Sequence, residues 1–91
     1  MKDPCLSVCL CTHDPDPALL EQALRSLADQ ILERDRWELI LVDNASSPPV
    51  ASRVDLSACA GVRLLNEPRL GLLWARGRAI EAARGDILVF V

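Results

Sequence analysis

Four short apolar runs, the first three each ending in a polar loop and all separated by helical or charged stretches, constrain this chain more than any other feature. The runs are residues 5–12, 39–42, 62–65 and the closing stretch ILVFV. Apolar runs of this length, alternating with amphipathic segments over short connections, are the pattern of parallel strands joined by right-handed crossovers. The expectation is an α/β fold with a Rossmann-like open parallel sheet of about four strands in the order 3-2-1-4. Helices should lie on both faces of the sheet.

The segment after the first run reads as a helix at once. Asp16 can cap it, Pro17 fits its first turn, and Leu19, Leu20, Ala23, Leu24, Leu27 and Ala28 recur at helical spacing. The charged stretch ERDRWE leads into the second run, which stops at Asp43. DNASSPP is punctuated for a loop, with prolines that could start a short helix through Val54 and Leu56. After the third run, LLWARGRAIEAAR places Leu72, Leu73, Ala75, Ala79, Ile80 and Ala83 on a broad apolar side, and Gly85 is suited to the left-handed residue that ends a helix. Gly77, inside that helix, implies either a close approach or tight packing on the sheet. The final GDILVFV reads as a strand buried on both faces.

Composition narrows the function classes. With 51% hydrophobic and 25% charged residues, the 91-residue chain has the profile of a single domain spanning 1–91. Its net charge of -3 and its scattered Arg and Lys form no basic stripe, so no nucleic-acid partner is expected. No apolar run approaches the roughly 20 residues that span a bilayer, so no membrane segment is expected in the chain. Cys5, Cys9 and Cys11 fall at odd positions of one strand, where neighbours two apart cannot bridge, and with Cys59 they read as reduced thiols of a cytosolic or cytosol-facing protein. A metal set of Cys9, Cys11, His13 and Cys59 lacks any CxxC knuckle and is the weaker reading.

In doubly wound sheets ligands bind beyond the carboxyl ends of the strands. The loops placed there are residues 12–14, 43–47 and 66–69. Asp43 could accept hydrogen bonds from a ribose or a base, and Asp43 and Asn44 could equally be turn formers that bond their own backbone. His13, the sole histidine, is either a binding or stacking group or simply exposed. THDPDP in place of GxGxxG argues against a dinucleotide site, and the chain carries no GKS or GKT phosphate loop, GxSxG elbow or triad spacing.

Taken in order, SVCLCTHDPDPALLEQALRSLADQ, WELILVDNASS and VRLLNEPRLGLLWARGRAIEAARGDILVFV resemble the amino-terminal, nucleotide-sugar-binding half of a family 2 glycosyltransferase of the GT-A fold. The resemblance implies that Thr12 and His13 lie at the nucleobase edge, with His13 in a place usually held by tyrosine. It implies that Asp43 contacts base or ribose with Asn44 beside it. It also aligns Gly71, Ala75 and Arg76 with the helix motif N-x-G-x-x-x-A-R-N-x-G, Arg76 being a contact to the nucleotide or its phosphates. Gly77 and Ala79 depart from that motif, and Cys11 replaces a common proline. The implied donor is a nucleoside diphosphate sugar, a UDP-sugar first, and the implied metal is Mg2+ or Mn2+. Its DxD-type ligands would follow the last strand, after Val91, so that neither Asp43 nor Asp86 takes that part and the 91 residues alone are expected to be inactive. The full-length enzyme would be a hexosyltransferase with an unknown acceptor. The alternative is a non-catalytic nucleotide-binding module, or one that associates with another copy through an exposed sheet edge.

Overall fold

The computed structural model describes residues 4–30, 33–59 and 61–91. Strands β1 (Leu6–Thr12), β2 (Trp37–Asn44), β3 (Arg63–Glu67) and β4 (Ile87–Phe90) form one parallel sheet in the order β3-β2-β1-β4. Helix α1 (Pro17–Ala28) covers one face and α2 (Leu72–Ala82) the other. The α/β expectation and the strand order are met.

The central strand β2 is buried at all eight positions. Its side chains alternate between two cores, as strand geometry requires. Trp37, Leu39 and Leu41 pack with Leu20 and Leu24 of α1 and with Val50, Val54 and Cys59, whereas Ile40 and Val42 pack with Cys9, Ala75 and Ala79. Each fully buried leucine is worth about 1.5–3 kcal/mol. Helix α1 begins as its sequence implies: Asp16 Oδ1 accepts from the backbone N–H of Ala18 at 2.9 Å and of Leu19 at 3.2 Å, with Pro17 in the first turn. Such a cap contributes about 1 kcal/mol.

Several expectations change. The strand buried on both faces is β2, not β4: among the described residues β4 pairs only with β1, at an edge of the sheet, and Ile87 and Val91 are 58% and 60% exposed. Uninterrupted apolar sequence is the same in both strands; β2 differs in lying inside the sheet with a core packed on each face, whereas β4 lies at its edge. The broad apolar side of α2 shrinks to Ala75 and Ala79, while Leu72, Leu73 and Ile80 are exposed. Leu73 and Ile80 are seven residues apart and so share a stripe turned away from the sheet. Prolines 48 and 49 lead into two separate 3-10 turns, Val50–Ser52 and Leu56–Ala58, in place of one short helix.

Two glycines also exchange roles. A Cβ on Gly77 would meet nothing within 4 Å, so neither a close approach nor tight packing accounts for it. Gly85 is not the left-handed end of α2; Ala83 caps that helix in an extended conformation. A Cβ on Gly85 would instead stand 2.7 Å from the carbonyl carbon of Leu6 and 2.8 Å from the nitrogen of Ser7, which makes it the point where the link to β4 crosses β1.

The amino-terminal end of the sheet is fastened by Glu38, 8% exposed on the α2 face. Its carboxylate accepts from Ser7 Oγ at 2.6 Å, the Arg84 backbone N–H at 2.7 Å and Arg63 Nη1 at 2.6 Å. Burial pushes the Glu38 carboxyl up, and these hydrogen bonds more than offset it, holding it below its ordinary value. Gly85 N–H donates to Ser7 Oγ at 2.8 Å and completes the cluster.

Candidate functional site

The strand register brings the carboxyl ends of β1, β2 and β3 level. Thr12 stands opposite Asp43, and Asp43 opposite Asn66. The loops that leave these positions therefore share one rim, the location that doubly wound sheets use for ligands.

Asp43 and Asn44 are adjacent at the tip of β2 and so point to opposite faces. Each holds the loop on its own side. Asp43, 3% exposed, accepts from the backbone N–H of Ser46 at 3.2 Å through Oδ1 and from that of Val50 at 2.9 Å through Oδ2. Of its two readings, the turn-forming bonds are thus present. Asn44, 4% exposed, donates from Nδ2 to the carbonyls of Glu67 at 3.0 Å and Arg69 at 2.8 Å. Its Oδ1 accepts from Gly71 N–H at 2.9 Å, immediately before α2. Gly71 has φ 141, a conformation open to glycine, so this loop depends on both the amide and the glycine.

His13 crosses from the β1 loop to the β2 loop. Its Nδ1 lies 2.7 Å from the Asn44 carbonyl oxygen, which can only accept, so Nδ1 carries the hydrogen. Nε2 lies 3.2 Å from Asp14 Oδ2. Asp14 in turn receives the Ser47 N–H at 2.8 Å and donates its own N–H to Ser46 Oγ at 2.8 Å. The ring is thereby held as a wall of a hollow of about 190 Å³ between Cys11, Thr12, Asn44, Gly71, Leu72 and Ala75. Three of the sequence-derived site residues, Thr12, His13 and Asn44, line this space together.

Asp43 belongs to a neighbouring hollow of about 180 Å³, on the far side of β2, with Ser46, Asn66 and Glu67. Arg76 lines neither. Its guanidinium sits over the Phe90 ring at 5.4 Å, and its charge acts on the Cys11 thiol. Burial pushes that thiol up, and Arg76 draws it partly back. A third hollow, about 210 Å³ beneath β4, is walled by Leu6, Val8, Leu27, Trp37 and Val89 and has no titratable side chain.

Sequence reasoning passed over the cluster of Glu67, Arg69 and Trp74. Glu67 is 2% exposed and takes Arg69 in a fork, Nε to Oε2 at 3.0 Å and Nη2 to Oε1 at 2.9 Å, with the Arg69 backbone N–H on Oε2 at 2.9 Å. The guanidinium and then the backbone N–H hold the Glu67 carboxyl at about 2. Arg69 also stacks over Trp74, 4.0 Å from the ring centroid. The only signal in the sequence was an acid and a base two residues apart, where a strand gives way to a proline loop.

A divalent cation needs several oxygen ligands. The rim carboxylates Asp43 and Glu67 are already engaged by N–H donors, and among the described residues no three side chains of the ligating types group together. These residues do not fit Mg2+ or Mn2+. Cys9 and Cys59 lie in separate cores on opposite faces of the sheet, and all four thiols are unbridged. Among the described residues no helix is long and apolar enough to cross a membrane.

Comparison with known proteins gives a consistent picture. The model of the family described as Glycosyl transferase family 2 matches residues 7–91. An uncharacterized protein of Mycobacterium tuberculosis is 38% identical over 89 residues, which cover 97% of this chain and 27% of that protein. Human polypeptide N-acetylgalactosaminyltransferase 15 is 35% identical over 92 residues, 97% of this chain and 14% of the relative. A putative polypeptide N-acetylgalactosaminyltransferase 13 of Drosophila melanogaster is 30% identical over 97 residues, 94% of this chain and 17% of the relative. The chain thus spans between 14% and 27% of the length of these relatives.

Proposed function

The chain belongs to glycosyl transferase family 2, and from that premise we propose that it binds the nucleoside part of a nucleoside diphosphate sugar, with a UDP-sugar as the first donor to test. The observation that carries the reading is the hollow enclosed jointly by the ends of β1 and β2 and the start of α2. Its volume of about 190 Å³ is below the roughly 300–1,000 Å³ of pockets that enclose a whole small ligand. It suits a base, with ribose and phosphates extending outward. The His13 ring, fixed by the Asn44 carbonyl, offers a face for stacking, and Thr12 offers a hydroxyl. Arg76 stands near enough to act on Cys11 and would meet the phosphates.

In the longer protein this half-site would serve transfer of a hexosyl group to an acceptor. Two relatives are named as N-acetylgalactosaminyltransferases, which makes that sugar the first to try. A divalent cation that balances a leaving diphosphate would draw on acids other than Asp43 and Glu67.

Calorimetric titration with uridine and with UDP, with and without Mn2+, tests the reading. His13→Ala should weaken both ligands about tenfold, and Arg76→Ala should weaken UDP alone. Mn2+ should change little. Absence of binding by either ligand, or binding indifferent to both substitutions, would overturn the proposal.

A second reading rests on the exposed β4 edge, whose unpaired side offers a template for a second copy. Sedimentation velocity should then show a dimer that a charged Val89→Lys edge dissolves; a monomer at all concentrations would sink it.

A further inference from the structure

Helix α2 is apolar on two sides, although only one of them meets the sheet. Ala75 and Ala79 face the sheet and are buried, whereas Leu73 and Ile80 point outward and are 82% and 56% exposed. A helix that is apolar all round is characteristically covered all round. The outward face is cationic as well. Arg76 follows Leu73 by three residues and precedes Ile80 by four, so the three side chains are neighbours along one face. Gly77 lies between them and adds no side chain of its own, so Leu73 and Ile80 stand clear of the backbone on either side of it. The net charge of -3 is also unevenly divided. Residues 67–84 carry four arginines against two acids, while the rest of the chain carries six basic residues against eleven acids. Glu67 is taken up by Arg69, and Arg76, Arg78 and Arg84 enter none of the ion pairs among the described residues.

From these features we propose that the outward face of α2 docks on an anionic lipid surface, a role separate from the donor reading. Leu73 and Ile80 enter the boundary between headgroups and acyl chains, and the unpaired arginines meet the lipid phosphates. Shape and charge together select that partner. None of the three hollows described above is walled by Leu73, Arg76 or Ile80, so the face offers no groove in which a partner helix or peptide could lie. Two protruding apolar side chains suit a surface that yields around them. A second copy would bring its own unpaired arginines to the same face, which opposes an α2-to-α2 pair, whereas lipid phosphates supply the missing counter-charge. Glu81, exposed and one residue beyond Ile80, limits the attraction. The start of the same helix lines the base hollow, so a lipid surface on α2 lies beside the rim of the site.

Flotation of the chain with vesicles of phosphatidylcholine alone, and of phosphatidylcholine with phosphatidylglycerol in a two-to-one ratio, tests the proposal. The chain should float with the mixed vesicles at low salt, stay in solution beside phosphatidylcholine alone, and leave the mixed vesicles at high salt. Leu73→Glu and Ile80→Glu should each weaken vesicle binding at least about tenfold. Arg76→Gln should weaken it about fivefold, and Glu81→Gln should strengthen it by a similar factor. Both outward positions lie outside the base hollow and the two cores, so the glutamate variants should keep the thermal midpoint of the parent chain, which excludes unfolding as the cause. Uridine titration of the same variants reports on the donor reading alone. The proposal falls if mixed vesicles leave the chain in solution, if phosphatidylcholine alone binds it as tightly, or if Leu73→Glu leaves binding unchanged. It falls equally if Leu73→Glu dissolves a dimer of the chain, which would assign the face to a second copy.

Discussion

The two ends of β2 solve one problem in opposite ways. At the amino-terminal end Glu38 gathers Ser7, Arg63 and Arg84 N–H into a closed cluster, and the link from α2 to β4 is drawn down so tightly that only glycine fits at residue 85. At the carboxyl end Asp43 and Asn44 also gather backbone N–H groups, but from loops that diverge to opposite faces. The difference is one of what is tied. A short link pulled against the sheet leaves no space, whereas longer loops tied at their bases leave hollows of about 190 and 180 Å³ between them. Buried polar groups at one end secure the fold and at the other hold a site open.

Substitutions at the two ends should separate these roles. Glu38→Ala removes the carboxylate from three donors and strands the partly buried charge of Arg63, at a cost of about 3 kcal/mol in urea unfolding, with no local change at the carboxyl-end rim. Asn44→Ala breaks three neutral hydrogen bonds, and the expected cost is nearer 2 kcal/mol, accompanied by loss of uridine binding. Equal loss of uridine binding in both variants, measured where both remain folded, would erase the distinction between a fastening end and an open end. Gly77→Ala, in the helix that spans the two ends, should raise stability by about 0.5–1 kcal/mol, because the added methyl meets nothing within 4 Å. A lower thermal midpoint would show that α2 is pressed closer to a neighbour than its surroundings indicate.

Acid gives the smallest and most graded comparison. Glu67 is held at about 2 against an ordinary 4.5, so its contribution is fully present above 4.5 and is lost as the pH falls from there toward 2. Glu38 is also depressed, so its contribution has the same sign. Acid should therefore weaken both ends together, and Glu67→Gln should flatten the slope of stability against pH below 4.5 without abolishing it. An unchanged slope would mean that the Arg69 fork does not differ between the folded and unfolded chains.

Much of the topology was legible because it depends on pattern alone. Alternating runs and helices fixed the parallel sheet, and Asp16 with Pro17 marked the start of α1. What pattern could not carry was the identity of neighbours. ILVFV and LILV look equally buried until the fold places one inside the sheet with a core on each face and the other at the sheet's edge. Glu38 lay in a stretch that reads as a charged loop, and its inward direction follows only once β2 is known to begin at Trp37. The split between Asp43 and Asn44, by contrast, was available from parity with Leu39 and Leu41 on one face and Ile40 and Val42 on the other.

That β2 is buried on both sides also bears on how the chain folds. Its neighbours β1 and β3 come from distant parts of the sequence, and each face of β2 supplies the floor of a different core. Neither layer can order itself first and wait for the other, because each lacks a floor until the same eight residues are in place. The expectation for these 91 residues is a single cooperative transition centred on β2, slowed by its non-local strand pairing. Amide exchange in β2 should report the opening of the whole molecule rather than of any part.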